Sequence, residues 1–70
     1  MIKCQYDTEL EYEDGEPMWF YTVYKYTVEK SIEQVSRIES SDYYDYDDFE
    51  QCNEDANQRC LDLEQQFKQS

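Results

Sequence analysis

The stretch that decides the fold is Met18-Trp-Phe-Tyr-Thr-Val-Tyr-Lys-Tyr-Thr-Val28, in which aromatic and β-branched residues dominate. Residues of these types favour β-strands. Apolar side chains fall on both sides of the strand, with Met18, Phe20, Tyr24, Tyr26 and Val28 on one side and Trp19, Tyr21 and Val23 on the other. A strand that is apolar on both sides is usually central in its sheet. The stretch therefore predicts a central strand whose far edge needs a third strand or a partner surface.

The segment before it predicts the first strand of a hairpin. Residues 2–12 alternate between apolar and polar side chains, as a strand with one buried and one solvated face does. Asp14-Gly15 then suits a tight turn. A two-residue turn would place Leu10 opposite Trp19, whereas one more loop residue would place Leu10 opposite Phe20. We favour the second register, in which Trp19 lies on the side of the first strand's acids.

The segment after the central strand fits two structures. Val28, Ile32, Val35 and Ile38 follow helical spacing. A central strand, however, needs a neighbour on its open edge. We predict a third strand over residues 32–40, with a short helix over 29–41 as the alternative.

The last segment has the apolar spacing of one long helix over about residues 46–68. Its apolar face consists of Tyr46, Phe49, Cys52, Ala56, Cys60, Leu63 and Phe67. Arg59 follows Asp55 by four residues and can pair with it along the helix. The predicted fold class is α+β. A small antiparallel β-meander (β-β-β) carries one long C-terminal α-helix on one face, in a single domain over residues 1–70.

The amino-acid composition argues against several classes of function. The chain has 70 residues, with 18 Asp and Glu, 6 Lys and Arg and no His, and its net charge is −12. Direct binding to nucleic acid or to anionic membranes would need basic residues. Without His the usual base at neutral pH is missing, so we expect no enzyme activity and no catalytic residues. No apolar run approaches the ~20 residues of a membrane-spanning helix, and residues 1–4 do not resemble the start of a signal peptide. We expect a cytoplasmic protein.

Metal and cofactor sites are not expected either. A zinc site lacks His and a CxxC pair, and the three cysteines suit buried thiols in a reducing compartment. Asp45-x-Asp47 begins like a calcium-binding EF-hand loop, but Glu50 occupies the position that requires Gly. The single Gly of the chain also excludes a glycine-rich phosphate loop.

The strongest functional signal is a pair of acid runs without any Lys or Arg. We define the acid runs as residues 7–16 and 42–55, with six and seven Asp or Glu respectively. Tyrosines interleaved with the acids of the second run can stack on arginine side chains while carboxylates bind them. The predicted partner-binding residues are Asp7, Glu9, Glu11, Glu13, Asp14, Glu16, Asp42, Tyr43, Tyr44, Asp45, Asp47, Asp48, Glu50, Glu54 and Asp55.

In length, charge, acid runs and interleaved tyrosines the chain resembles small phage-encoded inhibitors of bacterial defence, the DNA-mimic anti-CRISPR and anti-restriction proteins. The resemblance is one of class and rests on no family-specific motif. It implies a protein without catalysis that occupies the basic nucleic-acid-binding groove of a nuclease or CRISPR effector, in the cytoplasm of an infected bacterial cell. It also implies dimerisation, and Trp19, Tyr21 and Val23 would provide either the dimer face or a face for a second partner.

A second interpretation is a small protein–protein interaction module, such as an antitoxin or an adaptor. Such a module would bind its partner through the aromatic strand 18–28, and added salt would weaken the binding little. The dependence of binding on ionic strength therefore separates the two hypotheses.

Overall fold

The computed structural model describes residues 1–69 and has an α+β fold. An antiparallel sheet has the strand order β1-β2-β3, and a short fourth strand pairs with β2 beyond the end of β3. One helix packs on one face of this sheet, mainly over β1 and β2. The elements are β1 (Ile2–Glu13), β2 (Glu16–Glu29), β3 (Ile32–Ser40), β4 (Tyr44–Asp45), a 3-10 turn (Tyr46–Asp48) and α1 (Phe49–Gln69).

The first hairpin closes through a two-residue turn. Asp14 and Gly15 both adopt positive φ, 52° and 81°, as a type I′ turn requires. The turn pairs Leu10 with Trp19. The favoured register, with Leu10 opposite Phe20, is therefore wrong, because the loop contains no third residue.

This register decides which side of β2 is covered by the helix. Trp19, Tyr21 and Val23 lie on the helix side, and Val23 has no exposed surface. These three residues, expected to provide a dimer face, therefore lie on the side of the sheet that α1 covers. Within residues 1–69 no helix lies over the opposite side of β2, and Phe20, Tyr24 and Tyr26 are half-buried there.

The third strand is confirmed over Ile32–Ser40, and the helical alternative for this segment is wrong. Lys30 and Ser31 form its turn with positive φ values of 52° and 67°. Tyr24 pairs with Arg37 and Val23 with Glu39, so Ile38 is an extra residue in a β-bulge.

The interior is made of small side chains. Cys4, Val23, Cys60 and Leu63 form the core cluster, and Cys52 and Ala56 are also buried. The predicted apolar face of the helix is confirmed at these helix positions, although the α-helix begins at Phe49 after the 3-10 turn. Arg59 does not pair with Asp55. It forms a salt bridge of 2.9 Å with Glu39, which joins α1 to β3.

No helix within residues 1–69 has the length and apolar character needed to cross a bilayer.

Candidate partner-binding surface

The net charge of the chain is concentrated in its two acid runs. Six Asp or Glu in residues 7–16 and seven in residues 42–55 stand without any Lys or Arg among them. The rest of the chain holds five acids and all six basic residues, so it is close to neutral. Lys3, Lys25, Lys30 and Arg37 lie towards the β2–β3 turn, away from the β1–β2 turn where the acids are densest. The molecule is therefore polarised in charge along the strands.

The sheet brings the two acid runs together. Met18 on β2 pairs with Glu11 on one side and with Asp45 on the other. Because paired strands lie about 4.8 Å apart, the backbones at Glu11 and Asp45 are separated by roughly 10 Å. The Tyr43 hydroxyl spans this gap and donates a hydrogen bond of 2.9 Å to Glu11 Oε2.

We call the side of the sheet that faces away from α1 the open face. Alternation along β1 places Asp7, Glu9, Glu11 and Glu13 on it, all exposed. Successive carboxylates of this row are attached about 6.6 Å apart along the strand. Directly beside Glu11 and Glu9, β2 presents Met18 and Phe20. The same row continues past the buried Thr22 to Tyr24 and Tyr26, which lie beside Gln5 and Lys3. The open face thus places carboxylates beside the rings of Phe20 and Tyr43, which suits cationic and especially guanidinium groups.

Tyr43 is held in place on the open face. Its ring meets the Phe20 ring edge to face, with centroids 5.9 Å apart. The hydrogen bond to Glu11 raises the pKa of the Tyr43 phenol, because losing the proton would place two negative charges side by side. Its side chain is still 44% exposed, so a partner can reach the ring.

The side chains of Tyr44 and Asp55, both predicted to bind a partner, are hydrogen-bonded to each other. The Tyr44 hydroxyl donates a hydrogen bond of 2.6 Å to Asp55 Oδ2, and Gln51 donates to the other oxygen. Both hydrogen bonds lower the pKa of Asp55, and the bond from Tyr44 has the larger effect. The same contact raises the pKa of Tyr44 well above its ordinary value. The pair links β4 to α1, so we assign it to the scaffold of the surface.

The remaining predicted partner-binding residues are all exposed and belong to three places. Asp14 and Glu16 lie at the β1–β2 turn, and Asp42 lies between β3 and β4. The others surround the start of α1, and they are Asp45, Asp47, Asp48, Glu50 and Glu54.

An aromatic cluster that the sequence reasoning missed supports the start of the helix. The Trp19 ring lies 4.6 Å from the Phe49 ring and 6.3 Å from the Tyr46 ring, measured between centroids. Its indole N–H donates a hydrogen bond of 3.2 Å to the Tyr46 carbonyl. Trp19 therefore anchors the second acid run to the sheet. The signal that would have revealed this role is the two-residue turn at Asp14-Gly15, which turns Trp19 towards the helix.

The described residues offer few groups for other chemistry. Burial raises the pKa of the Cys4 and Cys52 thiols, and it raises that of Cys60 to about 11. Thiols of this kind are poor nucleophiles at neutral pH. Among residues 1–69, no three Cys, Asp or Glu side chains are grouped so that they could hold a metal ion. What the surface can do is bind positive charge through carboxylates beside aromatic rings.

Compared with family models, curated proteins and solved structures, the chain gives no significant match.

Proposed function

We propose that this protein is a non-enzymatic inhibitor that mimics nucleic acid and blocks the DNA- or RNA-binding surface of a bacterial defence nuclease or CRISPR–Cas effector. The observation that carries the proposal is that the two acid runs, which contain no Lys or Arg, come together across β2, where Glu11, Met18 and Asp45 are neighbours. A chain that needed charge only for solubility would have no reason to gather it on one part of its surface.

The amount of charge is comparable to that of a nucleic-acid strand. The molecule measures 45 Å along its longest axis and 20 by 15 Å across. One DNA strand carries a charge about every 3.4 Å along the helix axis, so about 13 phosphates occupy 45 Å. The net charge of this chain is −12, which nearly equals that total, and it is gathered towards the β1–β2 turn rather than spread along the whole axis.

The open face supports the proposal with a mode of recognition. Arginine side chains of a basic groove would donate bidentate hydrogen bonds to the carboxylates of β1 and stack on the rings of Phe20 and Tyr43. Because both partners are highly charged, association would be fast at low ionic strength and would weaken steeply with added salt.

The test is displacement of fluorescent duplex DNA from a panel of purified restriction nucleases and guide-loaded CRISPR effectors. We expect competitive displacement from at least one of them, with an inhibition constant that rises steeply with salt. Two charge-reversed variants, Glu9→Lys/Glu11→Lys and Asp45→Lys/Asp47→Lys/Asp48→Lys, should each abolish inhibition while circular dichroism shows an intact fold.

A matched control for the first variant is Glu29→Lys/Asp62→Lys, which makes the same change in net charge outside the acid runs. This control should retain inhibition. The proposal is wrong if inhibition survives both charge reversals, or if the control loses as much inhibition as they do.

A second function has one structural observation in its favour. Phe20, Tyr24 and Tyr26 present an aromatic row on a face that no helix of the described part of the chain covers. An antitoxin or adaptor would use this row, so Tyr24→Ala would weaken binding more than reversal of any carboxylate pair, and salt would have little effect. Trp19→Ala is not a clean probe of this function, because Trp19 packs against Phe49 on the helix side.

A further inference from the structure

The third strand, β3, is exposed over most of its length. All residues from Ile32 to Arg37 are exposed, with Ile32 and Val35 at 61% and 60%. β2 pairs with one edge of β3, and within residues 1–69 no strand pairs with the other edge. A strand edge with free N–H and C=O groups and exposed apolar residues is a template for pairing with another strand.

The β2–β3 turn determines which backbone groups are free. Lys30 and Ser31 form a two-residue turn with positive φ at both positions, so Glu29 and Ile32 are its closing hydrogen-bonded pair. The backbone N–H and C=O groups of successive residues alternate in direction along a strand. Those of Ile32, Gln34 and Ser36 therefore point to β2. Glu33, Val35 and Arg37 therefore point their N–H and C=O groups away from the sheet.

The three residues whose backbone groups point outward form a self-complementary set. A second β3 strand, antiparallel to the first and centred on Val35, would pair with them. Antiparallel pairing of two β3 strands would set Val35 against Val35 of the partner subunit. Glu33 would then face Arg37 of the partner subunit, and Arg37 would face Glu33 of the partner subunit. All three pairs consist of residues with outward backbone groups, so each is a hydrogen-bonded pair. Opposite charges directly across a ladder stabilise it.

We propose that a second copy of this chain pairs with the outer edge of β3, antiparallel and centred on Val35, to form a symmetric dimer with one continuous sheet. Arg37 is available for this contact, since the salt bridges of residues 1–69 use Arg59 and Lys68. The Glu33 carboxylate accepts a hydrogen bond from Tyr26 within its own chain, and it retains further acceptor positions for an arginine.

The charge distribution favours this edge over the other free edge of the sheet. On β1, Asp7, Glu9, Glu11 and Glu13 would place like charges close together in a second copy, which protects that edge against pairing. At β3 the surrounding residues are nearly neutral in sum. The two-fold axis also reverses one copy, so the acid runs of the two copies lie towards opposite ends of the dimer.

The geometry provides a test with a matched control. Val35→Cys places a thiol on the two-fold axis, where paired Cα atoms are about 5.5 Å apart, within disulfide range. Ile32→Cys is equally exposed, but its position is separated from its own copy by about six residues, roughly 20 Å. With diamide as the oxidant, Val35→Cys should give a covalent dimer on a non-reducing gel. Ile32→Cys and the wild-type chain should form no covalent dimer and should run as monomers on this gel.

A charge exchange tests the same pairing without crosslinking. In sedimentation equilibrium over about 1–500 µM protein, Arg37→Glu should weaken the dimer about tenfold to a hundredfold, because it replaces two attractive pairs with two repulsive ones. The double variant Glu33→Arg/Arg37→Glu should restore it, and Lys3→Glu, with the same change in charge on β1, should leave it intact. A wild-type chain that stays monomeric throughout would overturn the proposal. So would equal crosslinking of the two cysteine variants, or a dimer insensitive to Arg37→Glu. None of these outcomes depends on the proposed inhibitory function.

Discussion

Replacement of Val23 by Ala is the sharpest test of the β1–β2 register and therefore of which residues occupy the open face. Val23 has no exposed surface and lies in the core cluster with Cys4, Cys60 and Leu63. Removing two carbon atoms costs about 0.8 kcal/mol each in transfer free energy, and the unfilled cavity adds roughly 1 kcal/mol. We expect the free energy of unfolding to fall by ~2–3 kcal/mol.

That loss is large for a chain of this size. Domains are stable by roughly 0.05–0.15 kcal/mol per residue, which gives ~4–10 kcal/mol here. The melting temperature should fall by about 10–20 °C. The measurement is urea or thermal unfolding followed by circular dichroism at low micromolar concentration.

The control is Val35→Ala, which removes the same atoms from a side chain that is 60% exposed. It should change the free energy of unfolding by less than about 0.5 kcal/mol. Equal destabilisation by Val23→Ala and Val35→Ala would refute the reasoning, because it would mean that the helix does not cover the side of β2 that carries Val23.

Three further predictions concern titration and pairing. Because burial raises the pKa of Cys60 to about 11, the folded state holds this proton more tightly than the unfolded chain, whose thiol titrates near 8.5. The contribution of this thiol to the free energy of unfolding should be fully present below about pH 8.5 and decline towards pH 11. The decline should be shallower in Cys60→Ala. Urea midpoints measured across this range would show no such difference between the two proteins if the thiol were solvated. Arg59→Ala and Glu39→Ala should each cost less than about 1 kcal/mol because solvent screens this partly exposed pair, and a double-mutant cycle giving a coupling of several kcal/mol would contradict that. Tyr43→Phe should remove one phenol that titrates late in an alkaline absorbance titration without changing the fold, and an unchanged count of late phenols would exclude its hydrogen bond to Glu11.

Most of the fold was predictable because its signals are periodic. The alternation of residues 2–12 and the apolar spacing from Cys52 to Leu63 each match one regular structure, and both elements are observed. The third strand was a harder choice, since its apolar residues also fit a helix. The need of β2 for a neighbour decided it correctly.

The candidate surface was predicted less completely because it depends on register and on contacts between distant segments. The acids of β1 are exposed as expected, but a turn one residue shorter than expected turned Trp19 inward and left Tyr24 and Tyr26 on the open face. No local pattern shows that Tyr44 contacts Asp55 or that Arg59 contacts Glu39. Such pairs arise only when the helix docks on the sheet.

The division of β2 between two faces separates the interior of the protein from its surface. Val23 and Tyr24 are neighbours in the chain, yet one is sealed beneath α1 and the other meets solvent. Substitutions at Phe20, Tyr24 or Tyr26 therefore leave the small, closely packed interior unchanged. The residues that a partner would touch can therefore be altered without disturbing the packing beneath α1, with the exception of the buried Thr22 between them.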